Sequence, residues 1–311
     1  MTQERTQQDT YDIASLFGLL WQGKWWLIGF VVFFAVASVV FVLLQPNQYR
    51  GEIRFVPSEE SQAQGAQMGG QLGGLASLAG MNLGALQQNK HLVALEILRS
   101  RDFLTNFIDE HDLLVPLFAV ERWDEDTGEI VIDRERYNPD TDTWLRKGEP
   151  VADAKPTMWQ AVNAFRLLLE VEEDPRTSVI TLGVFHQSPL LASEMANLLI
   201  RDLNRRIQMR DLEDAERNLA YLSEALEESS ISSIERMIFQ LIEQEMQTLM
   251  LANARIEYAF ETIDPAVVPE QHAKPNRTLI VIVSTFFGGV LGVLFVLFRN
   301  IVAPKARWLT S

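Results

Sequence analysis

The chain has 311 residues, with 27 Lys and Arg against 42 Asp and Glu, a net charge of −15 and no cysteine. A surface that acidic repels phosphate backbones, which argues against nucleic acid as a partner. The lack of cysteine excludes disulfides, thiolate nucleophiles and cysteine-ligated metals together.

Two segments set the class. Trp25 to Leu44, "WWLIGFVVFFAVASVVFVLL", and Leu279 to Phe298, "LIVIVSTFFGGVLGVLFVLF", are each twenty residues without a charge. At about 1.5 Å per residue each crosses a hydrocarbon core of about 30 Å. The first run outlasts the apolar stretch of a signal peptide, and no small-residue cleavage site follows it, so it is read as a retained span. Two spans return the chain to its starting side. Residues 1–24 and 299–311 are then tails in one compartment, and the large middle faces the other. The basic residues near the spans are too evenly divided to say which side is which, and Trp21, Trp25 and Trp26 mark an interface without naming it. The middle carries 22 basic and 39 acidic residues, a net of −17 that the slightly basic tails bring to −15.

Following the chain, "YRGEIRFVP" (Tyr49 to Pro57) alternates as a strand does, and Pro57 stops it. Residues 58–90 are rich in Gly, Gln and Ala and read as a long loop. From His91 to Leu114 apolar residues recur at helical spacing. The charged stretch 124–149 is rich in turn residues around a short strand "IVI". "PTMWQAVNAFRLLLEVEED" restarts a helix at Pro156 or Thr157, and "TSVITLGVF" (Thr177 to Phe185) is a strand. Residues 45–187 thus form a mixed base.

Residues 188–261 read as a long helical arm, with Ser188 as N-cap and Pro189 at the first helical position. Leu212, Ala215, Leu219, Leu222 and Leu226 follow the 3-4 spacing of a coiled-coil seam. That register fails at "EESSISS", Glu227 to Ser233, and resumes in another phase from Ile234 through Leu249, Ala252, Ile256 and Ala259. Serines favour caps and turns, so the arm reverses near 227–233, with Ser232 or Ser233 capping the returning helix. A straight helix with a local stutter is the alternative. Geometry favours reversal, because the first arm would be about 60 Å long and the chain must still return to the membrane.

"EYAFETID" then looks like a strand rejoining the base. Residues 262–278 follow, with Pro265, Pro269 and Pro275 holding an extended, stiff path, a structural strut toward the second span. The plainer reading is that these prolines only terminate the strand. Inside that span Gly288 and Gly292 form G-x-x-x-G, a candidate transmembrane packing site against the first span. His91, His111, His186 and His272 lack ligand partners at helical spacing, "DEDTGE" lacks the ladder of a calcium loop, and the glycines of "GGQLGGLASLAG" lack the Lys-Ser/Thr of a phosphate loop. No catalytic, metal or cofactor-binding residue is expected.

Taken together, "YDIASLFGLLWQGKWW", "YRGEIRFVP", "GGLASLAGMNLG", "ALEILRSRDFLTNFI", "SPLLASEMANLLIRDLNRR", "EQEMQTLMLANARIEYAFETIDPAVVPE" and "KPNRTLIVIV" resemble the Wzz chain-length determinants, class 1 polysaccharide co-polymerases of Gram-negative bacteria. The resemblance implies an α+β membrane protein: two transmembrane helices flank a periplasmic domain with an α/β membrane-proximal base and a long helical-hairpin arm. It implies the inner membrane, both termini cytoplasmic, and a homo-oligomeric ring. The implied function is non-enzymatic: with the polymerase Wzy, setting the modal length of O-antigen on a lipid carrier, the partners being Wzy and the lipid-linked polysaccharide. Two other readings remain, an adaptor for capsule or exopolysaccharide export and an extracytoplasmic sensor.

Overall fold

A computed structural model describes residues 21, 23–58, 83–151, 153–228 and 232–302. They divide into two units, one formed by the two chain ends up to Asn47 and from Ala273, the other by Gln48–His272. The elements run α1 (Lys24–Leu43), β1 (Tyr49–Pro57), α2 (Leu83–Arg99), α3 (Arg101–Glu110), α4 (Leu114–Phe118), β2 (Val120–Asp124), β3 (Glu129–Ile132), β4 (Tyr137–Asn138), β5 (Thr143–Arg146) and β6 (Glu149–Pro150). Then come α5 (Met158–Leu168), β7 (Leu169–Glu173), β8 (Ile180–His186), α6 (Pro189–Glu228), α7 (Ser232–Ala254), β9 (Phe260–Asp264) and α8 (Arg277–Val302).

The unit of chain ends is a helix pair. Both helices are long and apolar enough to cross a membrane. Asn276 starts α8, its side chain accepting from the Leu279 amide at 3.2 Å, and the Arg277 guanidinium donates to Asn47 Oδ1 at 2.8 Å.

The other unit is built on an antiparallel sheet in the order β7-β8-β1-β9. The alternation read from Tyr49 to Pro57 is real burial: Gly51, Ile53 and Phe55 point into the core while Glu52 and Arg54 face solvent. One face is therefore apolar and the other charged, as expected for a sheet covered on one side. Ile53, Phe55, Ile180, Leu182 and Val184 meet Ala192, Met195, Ala196, Leu199 and Leu203 of α6, whose spacing is one helical face. Phe103, Leu104, Phe107 and Ile108 of α3 and Ala161, Val162 and Phe165 of α5 complete the same core. Thr157 caps α5 through a full capping box with Gln160. A β2–β3 hairpin and a three-stranded sheet of β4, β5 and β6 lie between α4 and α5 in the chain. The Asp124 carboxylate accepts from the Asp126 and Thr127 amides, so "DEDTGE" is an Asx-type turn.

α6, at forty residues, is about 60 Å long, and α7 returns antiparallel to it. The pairing proves the reversal: Asn218 Nδ2 donates to Glu245 Oε1 at 3.0 Å and Tyr258 Oη to Asp211 Oδ2 at 2.9 Å, so numbers rise on one strand of the hairpin as they fall on the other. The expected fold, a mixed base with a long helical-hairpin arm and two membrane helices, is the one observed.

Three expectations need correction. Residues 59–82 of the expected loop 58–90 lie outside the described residues, but Leu83–Lys90 is helical, the first half of α2. That stretch holds one glycine among Leu, Ala, Gln and Lys, which are strong helix formers. The helix begun at Thr157 stops at Leu168, and "LEVEE" is strand β7, paired with β8 from Leu169↔Val184 to Glu173↔Ile180. Pairing overrides the helical propensity of those residues. Finally, α7 ends at Ala254 rather than running on to Ala259, and Ile256 is 87% exposed. Gln208 of α6 donates to the carbonyls of Ala252 and Arg255 and so takes over the helix's terminal acceptors.

Candidate functional site

Three places in the molecule are built closely enough to carry function: the helix pair, the root of the arm, and the seam along it.

In the helix pair, α1 and α8 run antiparallel. A Cβ on Gly288 would lie 2.7 Å from Phe34 Cβ, and one on Gly292 would lie 3.3 Å from Leu27 Cα and from Phe30 Cβ. Both positions thus bring the backbone of α8 against α1. Phe295 fills the next turn, its ring 5.3 Å from that of Trp26 and 5.2 Å from that of Phe30.

At the root, α6 leaves the sheet over Gly51, whose missing side chain lets the Ala192 peptide sit directly on β1. His186 ends β8 and is 4% exposed. Its Nδ1 accepts from the Ser188 amide at 2.9 Å, and its Nε2 lies 3.0 Å from the Pro116 carbonyl, so the neutral ring with the proton on Nε2 satisfies both. Ser188 in turn accepts from the Leu191 amide at 3.3 Å, the cap expected for this helix. The histidine thereby ties α4 to the first turn of the arm.

Burial lowers the His186 pKa below its ordinary value, against a smaller raising effect of the backbone around it. The Ser188 amide needs the Nδ1 lone pair, so protonation would break that bond as well as bury a charge. Below about pH 6.5 the unfolded chain binds a proton that the folded chain refuses, so stability falls as the pH drops through that value. Thermal unfolding followed by circular dichroism should show a larger loss between pH 7.5 and pH 5 for the wild type than for His186→Asn. Equal losses would remove His186 as the cause.

Along the seam, Asn197, Asn204, Asp211 and Asn218 recur every seven residues of α6, and each meets the returning chain. Asn197 Nδ2 donates to the Ala266 carbonyl and its Oδ1 accepts from the Ala266 amide, both at 2.9 Å. Asn204 does the same at Phe260 and also accepts from the Ala259 amide at 2.9 Å. Tyr258, bonded to Asp211, has its hydroxyl pKa pushed up by burial first and by that carboxylate second. Sequence reasoning found the apolar half of this seam and missed the polar half. The signal was present as Asn-x6-Asn-x6-Asp-x6-Asn, but polar residues at that spacing read as a solvated face until a partner strand is placed against them.

The other three histidines, for which the sequence gives no ligand role, have separate surroundings. His111 Nε2 lies 2.6 Å from Asp202 Oδ2, and His91 lies 3.5 Å from Glu173. His272 is exposed. Among the described residues no three His, Asp or Glu side chains converge as metal ligands do. The segment Pro265 to Pro275 contains no helix or strand; Pro265 directly follows β9 and Pro275 directly precedes Asn276.

Comparison with known proteins places these features. The Wzz family model, "Chain length determinant protein", matches residues 9–111. A second model, GNVR, "G-rich domain on putative tyrosine kinase", matches residues 233–301. No curated protein matches the sequence. Among solved structures, a full-length bacterial polysaccharide co-polymerase is 14% identical, with 94% of this chain and 99% of that one covered and a TM-score of 0.37. A fragment of WzzB, a polysaccharide co-polymerase from Salmonella Typhimurium, is 12% identical, with 73% and 100% covered and a TM-score of 0.28. At those scores the two structures carry no argument, and the assignment rests on the family models. One takes in α1, β1, α2 and α3; the other takes in α7, β9, the proline segment and nearly all of α8. Residues 9–111 are thus similar to the Wzz chain length determinant family, and residues 233–301 to the GNVR domain.

Proposed function

We propose that the protein regulates polysaccharide chain length without catalysis, setting the modal length of lipopolysaccharide O-antigen while Wzy polymerises it on a lipid carrier. In this reading it sits in the inner membrane with both termini cytoplasmic, its central domain periplasmic, and its copies assembled in a ring around or beside the polymerase. The observation that carries the reading is the family match at the head of the chain, on α1 and the strand that follows it. A strain lacking its own determinant and expressing this chain should regain a clustered lipopolysaccharide ladder on a gel. An unregulated ladder, with the protein present in the membrane, would sink the proposal.

Two devices serve this function. Pro265, Pro269 and Pro275 form a stiff strut, supported by the clamp that Asn197 places on the Ala266 backbone just after the first proline. Gly288 and Gly292 hold α8 against α1, since leucine at either would strike Phe34, Phe30 or Leu27. The chain has no cysteine, so a pair introduced by Phe30→Cys and Phe295→Cys reports on this contact alone. Oxidation should crosslink it in the parent and fail when Gly288→Leu and Gly292→Leu are added. Full crosslinking in the leucine variant would show that the glycines are dispensable.

A further inference from the structure

We propose that the end of the helix pair carrying Lys24 and Arg299 binds an anionic phospholipid of the surrounding bilayer, its phosphate held between the two cations and an acyl chain laid along α1. The inference rests on the reading of α1 and α8 as membrane spans and on nothing said about polysaccharide.

The antiparallel pairing brings the start of α1 and the end of α8 to one membrane surface. There the Arg299 guanidinium carbon stands 5.3 Å from the centre of the Trp26 ring, and Lys24 Nζ stands 5.1 Å from that of Trp21. Among the described residues neither cation has a carboxylate within ion-pair distance, so aromatic faces are their partners and their N–H donors remain open. An aromatic face leaves most of an arginine's five donors unused, and phosphate is the group whose geometry matches them.

The second observation is independent of charge. Trp25, Trp26, Gly29, Phe30, Phe33 and Phe34 line a groove of about 680 Å³ on α1. Gly29 makes its floor: a Cβ there would meet nothing within 4 Å. From residue 25 to residue 34 the groove descends about 14 Å, the depth of one leaflet's hydrocarbon. Trp26 belongs to both features, supporting Arg299 on the ring and walling the groove. Headgroup and chain of one molecule can therefore be satisfied together. A protein helix in the groove would leave both cations without an anion, which is why a lipid of the bilayer is the occupant that fits.

The test uses the full-length protein in mixed micelles with equimolar phosphatidylglycerol and phosphatidylcholine, read by native mass spectrometry for retained lipid. Tryptophan quenching by the same lipids with brominated chains gives a second readout on the unaltered protein. Cations at a membrane surface each add roughly fivefold to anionic-lipid binding, so with two of them the wild type should favour phosphatidylglycerol by roughly 25-fold. Lys24→Gln with Arg299→Gln should abolish the preference, while Gly29→Leu should lower retention of both lipids. Equal retention by the wild type, or an unchanged preference in the double variant, overturns the proposal. So does displacement of phosphatidylglycerol by equimolar polyprenyl phosphate, which would assign the site to a different amphiphile, and so does a second copy of the chain bound in place of lipid. None of these outcomes touches the lipopolysaccharide ladder, so the two readings fail separately.

Discussion

Gly51→Ala should destabilise the protein by roughly 3 kcal/mol, at the upper end of what one inserted methyl does to a packed core. The atoms it meets explain the size. A Cβ at position 51 would overlap the Ala192 carbonyl and lie 2.5 Å from the Ser193 amide nitrogen, all backbone of α6. A side chain in that place could turn aside; a helix backbone can yield only by moving the whole arm. Ala192 is itself fully buried, and the next turns of α6 present Met195, Leu199 and Leu203 to the same sheet. Lifting the first turn therefore opens contacts further along. Gly183 gives the contrast. Its added Cβ would meet the Arg50 side chain, which lies across the opposite, charged face and can rotate away. Thermal unfolding of the full chain in detergent should rank Gly51→Ala far below Gly183→Ala, with the exposed Arg54→Ala close to wild type. If Gly51→Ala melts with Gly183→Ala, the root of the arm is not set by this contact.

How much of this was legible depends on whether the signal was local. The two spans are visible because twenty uncharged residues have one explanation in water and another in a bilayer. β1 is visible because one of its faces is wet and the other dry, and the arm's reversal is visible because four serines break a leucine seam. The Ser188-Pro189 start is readable as chemistry within four residues, whereas the start of α5, open between Pro156 and Thr157 in the sequence, is settled by the capping box of Thr157 with Gln160. What escaped was decided at a distance. Leu169 to Glu173 carries helix-forming residues and becomes a strand only because Ile180 to Val184 pairs with it. The end of α7 is fixed by Gln208, more than forty residues earlier in the chain. The role of Gly51 could not be read either, since one glycine in a strand does not say what lies above it.

Asn204→Ala should cost about 2–4 kcal/mol and should act on β9 before it acts on anything else. Asn204 is 3% exposed and makes three bonds to the returning backbone: one to the Phe260 carbonyl, one from its amide at 2.8 Å and one from the Ala259 amide. Alanine leaves those groups facing the core without partners, and water cannot readily replace the lost amide, because Phe260 is 1% exposed and its ring packs 5.1 Å from that of Phe55. β9 is an edge strand held on one side by β1 alone, so the asparagine stands in for a missing neighbour. Asn204→Asp should do little better than alanine. It keeps an acceptor for the two amides but turns a carboxylate oxygen toward the Phe260 carbonyl, where a donor is required. Asn197 makes the same two-way bond one fastening further on, at Ala266, so the double variant Asn197→Ala with Asn204→Ala should cost more than the sum of the two single changes if the clamps share the load of one strand. Hydrogen exchange should report the order of events: amides from Phe260 to Asp264 lose protection in Asn204→Ala while those of β8 keep theirs. Uniform loss across the sheet would mean that the asparagine supports the whole core, and unchanged exchange at β9 would mean that pairing with β1 suffices to bring the chain home.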